Sequence, residues 1–319
     1  MLGRRWASLL LPLLWVPALT ADPGSCLPGS GCKDEVNWLD RSHSALSERT
    51  AKLASSLDRF FGVEDSVAEA ARSFLRVRMS SGYDHFDGAD GKVSIKGQWH
   101  LPRVDERVGL VFADGDSPDD LEASAEESGR SVGLRFEQSE RERRGRFGLR
   151  ATLRSGGKLR TELRYRYEFE PFANAVRTRS TSALWWQDGR GTGVTLGGAI
   201  EKSLSARQLV RYSARLERAE DFDGTRWHQG LALNARLSLR DAAAFFLRFN
   251  GETRPRDYLQ SVAFGVLYRR QVFRQWMFAE IEPVFDWRRV AFEDERAFSP
   301  SLFLRLEWQL GEPVQLWKS

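Results

Sequence analysis

"KLRTELRYRYEFE", residues 158–170, places apolar and charged side chains at alternate positions. Leu163 and Tyr165 share one parity, and Arg160 and Glu162 share the other. A period of two predicts a β-strand with one apolar and one charged face. In a soluble sheet the apolar face is buried, whereas in an outer-membrane barrel it contacts lipid and the charged face lines the lumen. This strand is compatible with both arrangements.

The same alternation recurs along most of the chain and predicts an antiparallel, mainly β fold. We expect about fourteen strands (12–14), and many of them have 10–12 residues. That length suits a tilted membrane span of about 9–11 residues better than the five or six residues usual in globular sheets. The predicted strands cover residues 74–83, 91–101, 106–113, 131–139, 144–154, 158–169, 175–186, 192–202, 207–218, 228–239, 242–251, 259–270, 275–286 and 301–310.

Loop lengths and aromatic positions favour the membrane barrel. The first, third, ninth and last connections, residues 84–91, 114–130, 219–227 and 288–300, are predicted to be long. All four are odd-numbered, so they would emerge at one end, as external loops of outer-membrane barrels do. Aromatic residues near strand ends are predicted to form the interfacial girdles: Trp99, Trp185, Trp186, Tyr212, Trp227, Tyr268, Trp276 and Trp308.

The charged face of the predicted strands supplies the candidate site. Two interpretations stay open: an Arg–Glu ladder that satisfies itself and stiffens the wall, or a channel favouring small anionic solutes. Arginine outnumbers glutamate, so a net positive lumen is expected. The predicted lumen-lining residues are Arg135, Glu137, Arg150, Arg154, Arg160, Glu162, Arg164, Arg166, Glu168, Arg177, Arg179, Arg211, Arg215, Arg236, Glu280 and Glu282.

The first residues are typical of an export signal. Residues 1–21 carry Arg4 and Arg5, then an apolar run, then small residues, which predicts a secretory signal peptide. Cys26 and Cys32 follow closely. In an oxidising compartment they are expected to form a small-loop disulfide, and lipidation of Cys26 is the alternative.

Residues 22–73 are predicted to form a flexible lead-in and an amphipathic helix before the barrel at 74–310 and a tail at 311–319. Helical periodicity runs from Trp38 to about Phe61, with one apolar stripe formed by Leu39, Leu46, Leu53, Leu57 and Phe60. The pattern leaves open whether this helix lies in the periplasm or plugs the lumen.

Composition argues against several other functions. The 319 residues carry a formal net charge of +4 with both signs interspersed, whereas a nucleic-acid-binding surface concentrates basic residues. The four histidines have no ligand partner at metal spacing and form no recognisable triad with a serine and an acid: His43, His85, His100 and His228. We therefore predict no metal, no cofactor and no catalytic residue, and an enzyme is the less favoured function.

Two segments carry a resemblance to known proteins. "LDRFFG" (Leu57 to Gly62) and "LPRVDERVGLVFADGD" (Leu101 to Asp116) resemble a group of uncharacterised exported proteins of Gram-negative proteobacteria. That group implies no activity. At a coarser level the chain is similar to outer-membrane β-barrels in general, although "GEPVQLWKS" continues past the last strand where such barrels often end in an aromatic residue.

Three functional hypotheses follow. The first is an outer-membrane barrel that acts as a channel or a structural barrel. The second is an outer-membrane enzyme acting on lipid or lipopolysaccharide, and the third is a soluble periplasmic β-protein that binds a ligand or partner. Membrane lipid, lipopolysaccharide and small anionic solutes are the expected partners; nucleic acid is excluded and the sequence indicates no protein partner.

Overall fold

The computed structural model describes residues 53, 56, 57, 60, 61, 73–100, 108–114, 130–140, 145–169, 176–289 and 291–311. The chain divides into two units, Met1–Trp38 and Leu39–Ser319, and all described residues belong to the second. The predicted signal peptide, the Cys26–Cys32 pair and the C-terminal tail after Gly311 lie outside the described residues.

Fourteen antiparallel strands close into a single barrel, in which β1 pairs with both β2 and β14. This confirms the predicted fold and strand number, and every strand lies within a few residues of its predicted position. The strands are β1 Phe74–Asp84, β2 Gly88–His100, β3 Val108–Asp114, β4 Ser131–Glu140, β5 Gly145–Arg154, β6 Leu159–Phe169, β7 Val176–Gln187, β8 Gly191–Ser205, β9 Gln208–Ala219, β10 Arg226–Arg236, β11 Asp241–Glu252, β12 Tyr258–Gln271, β13 Met277–Arg288 and β14 Ala297–Gly311.

The apolar face of each strand points outward and the charged face inward. Leu163 on β6 and Leu304 on β14 are 39% and 49% exposed, whereas Arg160 and Arg305 are only 6% and 3% exposed. A soluble sheet would bury the leucines, because burial of apolar surface drives its folding. The barrel therefore carries its apolar belt on the outside, which excludes the soluble sheet with a buried apolar core. No helix among the described residues has the length and apolar character to span a membrane.

The two barrel ends differ. The end that holds Phe74 and Gly311 also holds the even-numbered connections, and we call it the terminal end; the other is the loop end. Residues 115–130 and 289–296, the two longest connections, both lie at the loop end, as predicted. Long loops grouped at one end are typical of outer-membrane barrels.

The prediction of a long first connection was wrong. The strands β1 and β2 run further than expected and leave only residues 85–87 between them. One oxygen of the Asp84 carboxylate accepts hydrogen bonds from the backbone N–H groups of Phe86 and Asp87, at 2.9 and 3.2 Å. This Asx-type turn closes the hairpin locally, and Gly88 supplies the positive φ of 78° that follows it.

Five residues of the N-terminal segment are described and all are helical: Leu53, Ser56, Leu57, Phe60 and Phe61. The Ser56 hydroxyl donates a hydrogen bond to the carbonyl of Leu53 at 2.9 Å. The remainder of the predicted helix from Trp38 lies outside the described residues. Four of the five side chains belong to a hydrophobic cluster that also includes residues of the barrel.

Candidate functional site

The interior of the barrel holds all sixteen residues that the sequence proposed for the lumen. They occupy the inward-facing parity of seven strands: Arg135 and Glu137 on β4; Arg150 and Arg154 on β5; Arg160, Glu162, Arg164, Arg166 and Glu168 on β6; Arg177 and Arg179 on β7; Arg211 and Arg215 on β9; Arg236 on β10; Glu280 and Glu282 on β13. Arg236 is the outermost of these, because it ends β10 at the terminal end and its Nε donates to the carbonyl of Ser238 in the turn, at 3.4 Å.

Further charged residues share the inward face, and sequence reasoning left them out. The same period of two, applied to the remaining strands, identifies them. They include Arg76 and Arg78 on β1, Lys92 and Lys96 on β2, Arg146 on β5, Glu201 on β8, Glu217 on β9, Arg248 on β11, Arg269 on β12, and Arg305 and Glu307 on β14.

Around β12, β13, β14 and β1 the charges form a tight ion-pair network, which we call the sealed wall. Glu307 is its centre: its carboxylate lies 2.5 Å from Arg78, 2.6 Å from Arg269 and 3.5 Å from Arg76. The Gln309 side chain donates a further hydrogen bond at 2.7 Å. The side chains of Glu307 and Arg269 are both 0% exposed, so this cluster has no access to water in the lumen.

The sealed wall continues along β13. Arg269 also pairs with Glu280, and Arg305 lies 2.5 Å from Glu282 and 3.6 Å from Glu280. Arg248 on β11 reaches Glu282 at 3.7 Å. Each glutamate here is shared by two or more arginines, as buried charges require if their desolvation is to be compensated. This wall matches the self-satisfying ladder of the first interpretation.

Across the barrel, β4 to β7 form a second surface, which we call the arginine wall. Its inward positions hold nine arginines and three glutamates. Side-chain exposures of 18% at Arg135, 26% at Glu137 and 31% at Arg164 show that part of this wall contacts solvent. The arginines are Arg135, Arg146, Arg150, Arg154, Arg160, Arg164, Arg166, Arg177 and Arg179, and the glutamates are Glu137, Glu162 and Glu168.

The glutamates of the arginine wall are each engaged by arginine. Glu162 lies 2.8 Å from Arg164 and 3.4 Å from Arg160, and Glu168 lies 2.7 Å from Arg177. Glu137 pairs with Arg135. Since three carboxylates face nine guanidinium groups, these strands keep a large positive excess. The wall runs from Arg154 at the loop end to Arg177 near the terminal end.

The neighbouring strands β8 and β9 are more balanced. Glu201 lies 2.7 Å from Arg211 and 3.6 Å from Arg177, and Glu217 lies 3.1 Å from Arg215. These pairs join the arginine wall to the rest of the lumen and neutralise much of its edge.

Trp185 does not belong to the interfacial girdle, and that prediction was wrong for this residue. Trp185 and Trp186 are consecutive on β7, so they must point to opposite faces, and Trp185 points inward with 2% exposure. Its ring lies between the guanidinium groups of Arg160 and Arg190, at 4.7 and 4.9 Å from the ring centroid. The space for it comes from Gly193, where a Cβ atom would lie 2.1 Å from the indole ring.

At the loop end, Arg190 links the tryptophan to the ninth connection, residues 220–225. Its Nε lies 2.6 Å from the carboxylate of Asp221. Partial burial acts to raise the pKa of Asp221, but the hydrogen bond and the charge of Arg190 outweigh it and hold the pKa below its ordinary value. The carboxylate therefore stays ionised and anchors the loop to the rim of the lumen.

Among the described residues, His228 lies near a serine in the barrel interior. His228 meets Asn250 at 2.8 Å, and the Asn250 amide donates to the Ser261 hydroxyl at 2.8 Å. In this relay the asparagine separates the imidazole from the hydroxyl, whereas a nucleophilic serine needs the imidazole as its direct partner. The described residues contain no group of three or more His, Cys, Asp or Glu side chains suited to a metal ion.

A closed antiparallel barrel with an apolar exterior and a charged interior satisfies every strand's backbone hydrogen bonds without an edge, as a span through lipid requires. The chain folds as an outer-membrane β-barrel. No family model and no curated protein matches the sequence.

Solved structures with similar folds are outer-membrane proteins. A bacterial polysaccharide outer membrane secretin is 12% identical, with 76% of this chain and 99% of that chain covered and a TM-score of 0.48. The anion-selective porin from Comamonas acidovorans is 9% identical (75% and 98% covered, TM-score 0.46), and the KdgM porin in complex with disordered oligogalacturonate is 6% identical (73% and 98% covered, TM-score 0.38). At these identities the solutes in the names belong to those proteins alone.

Proposed function

We propose that the protein is a passive outer-membrane channel whose solute path runs along the arginine wall and favours small anions. The observation that carries this proposal is the excess of nine arginines over three glutamates on the inward face of β4 to β7. Rings and strips of arginine lower the barrier to anions in pores and raise it to cations. The contrast with the sealed wall supports the assignment, because the three glutamates at its centre are almost fully buried, whereas Arg135, Glu137 and Arg164 of the arginine wall contact solvent.

Position in the cell follows from the same architecture, and we further propose how the chain reaches it. Residues 1–21 would direct export, residues 22–73 would precede the barrel on the periplasmic side, and the barrel would contact lipid and lipopolysaccharide through its apolar belt. The exposed outward leucines and aromatic residues support the last point, since Leu134, Leu184 and Phe298 are 53%, 53% and 45% exposed.

Anion selectivity is tested by charge reversal on β5. Arg146 and Arg150 face inward and are partly exposed, so Arg146→Glu with Arg150→Glu changes the wall by four charges. One charge on the wall interacts with a monovalent ion about 8 Å away in water by about 0.5 kcal/mol, and screening near 0.1 M salt halves this energy. Four charges then give about 1 kcal/mol, so anion entry falls roughly fivefold and cation entry rises by a similar factor.

The measurement is the reversal potential of the purified protein in planar bilayers under a KCl gradient. We expect the unaltered protein to select for chloride and the double variant to lose that preference. The matched control is Arg207→Glu with Arg240→Glu, which makes the same change of charge in exposed turns of the terminal end and leaves the wall intact. A silent protein would refute the channel, and equal selectivity of all three proteins would refute the path along the arginine wall.

A further inference from the structure

One part of the lumen is apolar, in contrast to the charged remainder. Leu209 on β9, Ala242 and Ala244 on β11 and Phe278 on β13 all face inward and belong to one hydrophobic cluster, with Leu267 on β12 packed against it. Leu209, Ala242 and Phe278 are each the second residue of a strand that begins at the terminal end. This patch, which we call the seat, therefore lies within about 10 Å of the terminal mouth.

The seat is covered by the N-terminal helical segment. Leu53, Leu57, Phe60 and Phe61 belong to the same cluster, and spacings of four and three place Leu53, Leu57 and Phe60 on one helix face. The Phe60 and Phe278 rings meet edge to face, with centroids 5.7 Å apart. Because the partners on the barrel point inward, the segment lies inside the lumen.

Burial shows that the fit is close. Phe60 is 0% exposed and Leu57 1%, while Leu209 and Ala242 on the barrel are both 0% exposed. Alanine at positions 242 and 244 removes the long side chains that fill the lumen elsewhere, and this leaves room for a helix of about 10 Å diameter. The seat and the segment are therefore complementary in shape and in polarity.

The seat also adjoins the sealed wall. The Arg269 guanidinium lies 4.1 Å from the centroid of the Phe278 ring, and the other partners of Arg269 are Glu280 and Glu307. A helix over Phe278 excludes water from this corner, which accounts for the complete burial of Arg269. In the barrel order, β5 and β6 lie opposite β12 and β13, so the remaining passage at the terminal end runs beside the arginine wall.

The described residues of the segment pack on the wall through apolar and ring contacts. Substitutions that weaken this packing would expose apolar surface but would leave the ion pairs of the sealed wall in place.

We propose that the segment that holds Leu53, Leu57, Phe60 and Phe61 is a plug of this channel. Seated in the lumen, it narrows the periplasmic mouth and confines solutes to the arginine wall. The plug rests on the proposed channel function, whereas the seating of the segment in the lumen does not.

Seating is tested by thiol accessibility in the full chain, with Cys26→Ser and Cys32→Ser as background. Ala244→Cys places a small reporter in the seat, and a membrane-impermeant methanethiosulfonate carrying a sulfonate group is the probe. We expect slow labelling in this protein and at least a tenfold faster rate after Leu57→Ala with Phe60→Ala. Thr181→Cys on the arginine wall, away from the seat, is the control and should label at the same rate in both.

Single-channel conductance of the same proteins tests the plug. We expect Leu57→Ala with Phe60→Ala to raise conductance severalfold while anion preference falls, because solutes then pass away from the arginine wall. Equal labelling of Ala244→Cys with and without the helix substitutions would overturn the proposal. Faster labelling in a protein that stays electrically silent would overturn the plug and the channel together but retain the seating of the segment in the lumen. If the double variant fails to fold, Leu57→Ala alone serves both measurements.

Discussion

Substitution of Glu307 is the most direct test of how much the ion pairs contribute to folding stability. Its carboxylate is 0% exposed and lies within 2.5–3.5 Å of Arg78, Arg269 and Arg76. Glu307→Gln keeps the size and shape of the side chain but removes the single negative charge that these three guanidinium groups share. Breaking a buried ion pair by removing one partner costs about 3–5 kcal/mol, because the remaining charge stays buried and uncompensated.

The matched control is Glu137→Gln. Glu137 pairs with one arginine, Arg135, and its side chain is 26% exposed, so water can replace the lost interaction. A pair of this kind contributes about 0–1 kcal/mol. The two substitutions make the same chemical change in the same barrel, and the structure predicts that their effects differ by about 3 kcal/mol, which is a factor of more than 100 in the unfolding equilibrium.

The assay is reversible unfolding by guanidinium chloride in detergent micelles or lipid vesicles, followed by tryptophan fluorescence and by the gel mobility of the folded barrel. We expect Glu307→Gln to lower the unfolding midpoint clearly and Glu137→Gln to leave it almost unchanged. If both variants unfold at the same midpoint as the unaltered protein, the burial of Glu307 carries no energetic weight and the assignment of a sealed wall is wrong.

Two further substitutions test local packing. Gly193→Ala brings a Cβ atom to 2.1 Å of the Trp185 ring and should destabilise the barrel by about 1–3 kcal/mol through overpacking. Gly197→Ala is the control, because no heavy atom lies closer than 3.9 Å to its new Cβ atom, and it should destabilise the barrel less. The unfolding midpoints of the two variants test this difference. Asp84→Ala removes the carboxylate that Arg288 approaches to 2.6 Å and that closes the first hairpin, so we expect faster protease cleavage at residues 85–87 with little change in global stability.

Much of the fold could be predicted because the period of two is strong in this sequence. On β6 and β9 the inward charged residues alternate with outward apolar residues. A one-residue slip in register would turn Arg160 or Arg211 toward lipid, so register errors are costly. Strand positions, closure into a barrel and the inward placement of the candidate residues all follow from that pattern together with strand length.

The seat escaped prediction because its strand breaks the pattern. In "DAAAFF", residues 241–246, both faces are apolar, so alternation gives no direction. This departure from alternation could have predicted the seat. One strand carries small apolar residues on its inward parity, in a lumen lined elsewhere by arginine. Such residues indicate that something other than water covers them. Trp185 was misplaced for a related reason, since a Trp-Trp pair contains one residue on each face and composition alone does not say which faces inward.

The sealed wall also specifies the register in which β1 pairs with β14, which the outward face alone does not. Strands β1 and β14 come from opposite ends of the chain, and the outward leucines of β14 would match β1 equally well after a slip of two residues, because parity is preserved. In the observed register Arg78 lies opposite Glu307 and Ser80 opposite Arg305. A slip of two residues in one direction would place Arg78 opposite Arg305, a repulsive pair, and in the other it would place Arg78 opposite Gln309. The buried charges therefore specify the closing register, which accounts for a cluster of ion pairs at the seam of the barrel.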